Sequence, residues 1–379
     1  MKANTGGFTL IELIVGVAIA LIGITAMFIV QQNWDAQKRS ISSGGDAQVY
    51  GAISAFQLER DLRGAGSGFG NSEYLGCTVS AHDVVGNRDF TFTYTPVVIT
   101  NGTPTDPDAP DTISILSGNS NSPTMTFQVA AATSTQTTMK DTRTGIALGD
   151  VVVVATPANT CRMLEITNLQ PASPDSGREV GHDTSGYTRR TRPPANRLTG
   201  AGACTGTGPW NCTPRFNPVT LATPYSSSPP TYGEFRSLGD DPRLNVWSID
   251  STRAVLMRSE LLHGTTAVDI GEGIINLQAE YGLDTNGDDA VDTWTSATPT
   301  WTQVRAIRFA QLARGDEYDR VAVTTAAPTW SGGTFVMRNI DGTPDSGAGA
   351  LGVNNWRNYR YSVFETTVVL RNMVWRRFW

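Results

Sequence analysis

Hydrophobicity along the chain changes period twice. Residues 8–30 form a run of 23 that is almost wholly apolar, interrupted by one carboxylate, Glu12. A helix needs roughly 20 apolar residues to cross a hydrocarbon core, so this run is long enough to span a membrane. Residues 31–63 contain no proline, and Val49, Ala52, Ile53 and Phe56 recur at the i, i+3, i+4, i+7 spacing of one helical face. Leu58 and Leu62 fall on a different side, which predicts last turns buried on two faces. Gly64, Gly66, Gly68 and Gly70 then end the helix. A helix over 8–63 would measure about 84 Å. Ser42, Ser43, Gly44 and Gly45 are its expected weak point.

Beyond residue 64 the pattern shortens to β-prone runs separated by Gly, Pro, Asn and Asp. Candidate strands are 90–95, 124–129, 151–155, 162–167, 254–258, 274–281, 304–312 and 361–370. In the last, both alternating sets are rich in β-branched or aromatic residues, as in a well-buried strand. The 304–312 run fits a helix nearly as well. An antiparallel sheet wrapped on the helix's second half is the economical arrangement, an α+β class. Residues 171–242 hold 11 of the 20 prolines and read as a long looped insertion in a head spanning 64–379.

Composition narrows the function. A net charge of −6 excludes a global polycation that coats nucleic acid, and no specific nucleic-acid partner is predicted. Arg189, Arg190, Arg192 and Arg197 form a basic stretch inside the insertion, a loop that could touch DNA or anionic lipid but whose ordinary reading is a solvated loop. The three histidines, His82, His182 and His263, have no nucleophile signature near them, so no catalytic residue is assigned and an enzyme is not expected.

Cys77, Cys161, Cys204 and Cys212 form no Cys-x-x-Cys pair. Three connectivities are open. Short spacing favours Cys204–Cys212, which leaves Cys77–Cys161 to tie two distant segments. Export to an oxidising compartment would favour disulfides over reduced thiols.

Asp284, Asn286 and Asp288 alternate as the first ligands of an EF-hand-type calcium loop do, with Ala290 offering a carbonyl and Asp292 a carboxylate. Asp289 stands where the sharp turn prefers Gly, and Thr295 where a bidentate Glu would close the site. Calcium is therefore set against an acidic hairpin turn between Tyr281 and Trp294, with Asn286 and Gly287 at its tip. Close carboxylates repel unless a cation is present.

The N-terminus admits a cleaved secretory signal at Ala18, Ile19 and Ala20, or a plain signal anchor. Neither explains Glu12 or the Gly7–Phe8 junction. Gly7, Phe8, Thr9, Leu10, Ile11 and Glu12 resemble the class III signal of type IV pilins and pseudopilins. That resemblance implies that prepilin peptidase cuts between Gly7 and Phe8, removing residues 1–7, and that the Phe8 amine is then methylated. Glu12 lies one helical turn from that amine and would neutralise it in an apolar setting during assembly.

Residues 273–282, running into the acidic loop, and residues 364–372 resemble the PilW family of minor pilins. The likeness is faint from about 80 to 250. It implies a pilin-like fold, with a long hydrophobic helix packed on an antiparallel head. It also implies a low-abundance subunit that joins other minor pilins and the major pilin in priming a type IV pilus, near the tip, with a tip adhesin as a further expected partner. Before assembly the chain would be a single-pass inner-membrane protein with a periplasmic head; afterwards it would stand at the cell surface. A type II secretion pseudopilin, or an anchored adhesin or DNA-uptake binder, is the alternative. The tail Trp375, Arg376, Arg377, Phe378 and Trp379 extends past the family pattern as a partner-binding, membrane-surface or packed segment.

Overall fold

A computed structural model describes residues 9–67, 69, 74–103, 106, 108–119, 126–141, 145–155, 160–170, 179–193, 204–217, 233–264, 266–345 and 352–374. One helix, Leu10–Gly64, runs unbroken for 55 residues. It passes through the expected weak point at 42–45 without interruption. Ala65 closes it with an N–H donated to the Leu62 carbonyl.

Two antiparallel sheets meet the second half of this helix. The first, called here the C-terminal sheet, has the order Thr293–Thr295, Ile274–Leu283, Val304–Arg314, Tyr361–Val369. The second has the order Val268–Glu272, Val255–Glu260, Arg243–Asp250, Thr112–Ser117, Val97–Thr100. Leu58, Leu62, Ile113, Trp247, Leu277 and Phe309 share the core between helix and sheets. The ambiguous 304–312 run is a strand, since it is the middle rung to which both Ile274–Leu283 and Tyr361–Val369 pair.

A ten-stranded sheet is the largest element of the head among the described residues, with a separate core that includes Phe69, Val79, Val151 and Leu238. One of its pairs is parallel, Thr78–Asp83 with Thr160–Glu165. The head is therefore several sheets rather than one, with a single parallel departure among the described pairings.

The proline-rich stretch is woven into this head. Among its described residues, Glu179–Gly181, Phe216–Asn217 and Glu234–Gly239 are strands of the ten-stranded sheet, and Tyr187–Arg189, Trp210–Cys212 and Cys204–Thr205 form a three-stranded one. Phe235 and Leu238 are fully buried. Prolines punctuate the stretch without preventing strands between them, because a strand of three to six residues needs only that many free N–H groups.

The helical face that meets the sheets is not the bulky stripe. Ala47, Gly51, Ser54, Ala55, Leu58 and Leu62 face the head, whereas Val49, Ile53 and Phe56 are 55%, 48% and 64% exposed. The cause is close approach. A Cβ on Gly51 would stand 2.1 Å from the Phe364 ring, and one on Gly271 would stand 2.9 Å from the Ser54 Cβ. Only small residues let the helix settle at this distance. Leu58 and Leu62 then fill the wider gap near the helix end.

Polar contacts fix the docking angle. Ser54 Oγ donates to Gln311 Oε1 at 2.8 Å. Asp61 accepts from Asn245 Nδ2 at 2.9 Å and from the Trp247 indole at 3.1 Å. At the far end Asn372 Nδ2 donates to the Ala65 carbonyl at 2.8 Å.

Candidate functional site

The expected assembly site begins at the helix N-terminus. Gly7 and Phe8 lie outside the described residues. Thr9 is the N-cap: its hydroxyl accepts from Glu12 N, while the Glu12 carboxylate accepts from Thr9 N and Thr9 Oγ1, both at 3.0 Å. This reciprocal box satisfies donors that a helix start otherwise leaves bare. Sequence spacing pointed to a charge partner for Glu12 but missed its capping role, which Thr9 three residues earlier could have signalled.

Beyond Glu12 the helix is bare. Leu10–Gln32 is long and apolar enough to cross a membrane, and none of it is buried by the rest of the chain. Exposed apolar side chains continue past it as Trp34, Val49, Tyr50, Ile53 and Phe56. A monomer in water does not keep such a surface uncovered.

The acidic loop is a hairpin connection, with Tyr281 opposite Thr295 and Leu283 opposite Thr293. Asp284 is buried at its base and pairs with the buried Arg305 guanidinium at 2.8 Å. It also accepts from Gly287 N and Asp289 N. Arg305 reaches Asp289 as well, at 3.3 Å. Asp292 accepts from Thr285 N at 2.7 Å, Thr285 Oγ1 at 2.9 Å and Asn286 Nδ2 at 3.0 Å. The two bonds from Thr285 first, and then one from Asn286 N, hold its carboxyl below the ordinary carboxylate value. Asp288 accepts from Ala290 N at 2.8 Å. Asp289 adopts φ +67°, the left-handed turn conformation that Gly would take more cheaply.

Asp284, Asn286, Asp288, Ala290 and Asp292 are thus brought together as a self-bonded turn. The side-chain oxygens of Asp284, Asn286, Asp288 and Asp292 accept from the loop's own N–H groups, and Asp284 also from Arg305. No group of three or more His, Cys, Asp or Glu among the described residues is arranged to hold a metal ion. A cation beside the close carboxylates, Arg305, is present within the chain.

The family model for type IV pilus-assembly protein W matches residues 246–372, and that for the prokaryotic N-terminal methylation motif matches residues 2–28. The chain is a PilW-like, type IV pilin-like protein. No curated protein and no solved structure matches it. The first match takes in the whole C-terminal sheet and most of the sheet beside it, the two that carry the helix. The ten-stranded sheet lies outside both matches, as expected from a resemblance faint over 80 to 250.

In this pilin-like head both disulfides are formed. Cys77–Cys161 joins residues 84 apart in sequence, with Cα atoms 6.0 Å apart. Cys204–Cys212 bridges directly opposed residues of an antiparallel pair. In the basic stretch, Arg189 is buried against Asp240, Arg190 and Arg192 are exposed, and Arg197 lies outside the described residues. The tail 375–379 also lies outside them.

The histidines do not converge. His82 meets Asp89 at 2.7 Å and His182 meets Thr137 at 3.0 Å. His263 lies between Glu260 and Asp241. Burial pushes its imidazole down, but the hydrogen bonds to Asp241 and Glu260 outweigh burial and raise it above its ordinary value.

Proposed function

We propose that this chain is a minor subunit of a type IV pilus. It is made as a membrane-anchored precursor with a periplasmic head, and its helix draws it into the filament, where it helps to prime assembly near the tip with other minor pilins. The bare apolar helix carries the reading. A bilayer covers Leu10–Gln32 first, and neighbouring helices replace lipid once the subunit leaves the membrane. Prepilin peptidase removes residues 1–7, and the methylated Phe8 amine stands one turn from Glu12.

The test is a strain with Glu12→Ala as the sole copy. Membrane insertion should be unimpaired, since an acid in a spanning helix costs about 2.5–3.5 kcal/mol. Recovery of the subunit in sheared pili should fall at least about tenfold, the equivalent of one lost charge-assisted bond of ~1.4 kcal/mol or more. Mass spectrometry of the unmodified chain should find methyl-Phe8 at its start. An N-terminus at Leu21 would contradict the reading.

For the acidic loop we propose Arg305, not calcium, as the stabilising cation. Arg305→Ala leaves Asp284 buried without its guanidinium and should destabilise the full chain by about 4 kcal/mol. In the unmodified chain, Ca²⁺ should shift the melting temperature no more than Mg²⁺ does. A Ca²⁺-specific rise that Asp284→Ala abolishes would restore the metal reading.

A further inference from the structure

The ten-stranded sheet grips the neighbouring sheet around one turn, residues 261–264, which follows the strand Val255–Glu260. Arg88 Nη2 donates to the Leu261 carbonyl. Arg215 Nη2 donates to the His263 carbonyl at 2.6 Å and to Asp83 at 3.2 Å, and Arg88 Nε reaches the same carboxylate at 3.5 Å. Asp83 and Arg88 lie on strands of the ten-stranded sheet, and Arg215 directly precedes another, Phe216–Asn217. Asp241 stands on the connection from Glu234–Gly239 of that sheet to Arg243–Asp250 of the other.

His263 sits inside this joint, its side chain 6% exposed. Nδ1 faces Glu260 at 2.5 Å, and Nε2 faces Asp241 at 3.3 Å. An ionised carboxylate only accepts, whereas a neutral imidazole has one donor and one acceptor nitrogen. A neutral ring here would therefore set a lone pair against one of the two acids. The imidazolium, with two N–H groups, satisfies both.

The two acids have other anchors, so the ring meets carboxylates already in place. Glu260 Oε1 accepts from Leu244 N at 2.9 Å and Leu262 N at 3.2 Å, and Oε2 accepts from His263 N at 2.6 Å. Arg243 holds Asp241 at 2.9 Å, and Asp241 N donates to Asn119 Oδ1 at 2.9 Å. Burial pushes the Glu260 carboxyl up, but the bonds from His263 and Leu244 N outweigh it and keep the group below its ordinary value.

We propose that His263 is a proton-operated clasp between the two sheets: its imidazolium ties Glu260 to Asp241, and loss of the Nε2 proton to solvent releases the Asp241 side. Nε2 is the nitrogen that gives up its proton, because its contact is the longer and Asp241 is the more exposed acid, 17% against 8%. Burial pushes the ring down and the Arg215 charge adds to that, yet the bonds to Asp241 and Glu260 raise it above its ordinary value. The clasp is therefore fully closed below the unfolded chain's value, about 6.5, and opens as pH rises through the higher folded one. Acid tightens the joint and alkali loosens it. Glu260 and His263 fall inside the family match that starts at residue 246, while Asp83, Arg88, Arg215 and Asp241 fall outside it. The inference needs neither the membrane anchor nor filament assembly.

The test is nuclear magnetic resonance of the full chain in detergent micelles, labelled with ¹⁵N in its three histidines, from about pH 5 to about pH 9. Both ring nitrogens of His263 should carry protons at about pH 6.5, and its midpoint should lie above that ordinary value. Across this step, amide protection at Leu262, His263 and Gly264, corrected for the intrinsic pH dependence of exchange, should fall at least about threefold. His263→Gln should remove the step in protection. Asp241→Asn removes one acid and should move the His263 midpoint to lower pH; it decides the matter if His263→Gln fails to fold. Three results would overturn the proposal: a midpoint at or below about 6.5, protection unchanged across the step, or a midpoint that Asp241→Asn leaves where it was.

Discussion

The two faces of the N-terminal helix carry opposite kinds of apolar residue. Toward the head it presents Ala47, Gly51, Ala55, Leu58 and Leu62, mostly small, all in contact with the sheets or close to them. Away from the head it presents Val49, Ile53 and Phe56, large and about half or more exposed. If burial within one chain were the only demand, the large residues would face the core, because each releases about 1.5–3 kcal/mol when covered. The reverse arrangement separates two tasks. Small residues let the helix lie close on its own sheets, and large ones are kept for surfaces outside the chain.

The comparison breaks most visibly at the buried face. Leu58→Ala removes a fully buried side chain from the helix–sheet core and should cost about 3 kcal/mol in thermal melting of the full chain in detergent. A loss below about 1 kcal/mol, the level of an exposed substitution, would mean that the helix is loosely docked. Gly51→Ala sharpens the point with a smaller effect. Overpacking against Phe364 costs about 1–3 kcal/mol, while alanine recovers about 1 kcal/mol of helix propensity. The net should be a loss of about 1 kcal/mol. A gain would show that the Phe364 ring swings aside freely.

Much of this was legible in the residues. The helix ends within two residues of its expected bounds at each end, because proline absence and a glycine run mark it locally. All eight candidate strands are strands, shifted by a few residues. Both disulfides pair as the shorter spacing favoured. The helix face was not legible. Val49, Ala52, Ile53 and Phe56 have the period of a buried stripe, and a period does not say whether the covering surface belongs to the same chain. Strands such as Val97–Thr100 and Arg243–Asp250 were missed; the second pairs with Thr112–Ser117, more than 100 positions away, which no local pattern shows, whereas the first pairs with that same strand 12 to 18 positions on. Arg305 lies 21 positions from Asp284, outside any local loop pattern, so only the folded sheet brings that cation to the carboxylates.

The division of the helix into a folding face and an assembly face is tested most directly at Phe56. Phe56→Ser should be measured twice in the same strain background: melting of the full chain in detergent, and recovery of the subunit in sheared pili. The account predicts a stability change within about 0.5 kcal/mol, as for other exposed positions, together with a clear drop in incorporation. A chain that melts markedly earlier yet enters pili normally would contradict it.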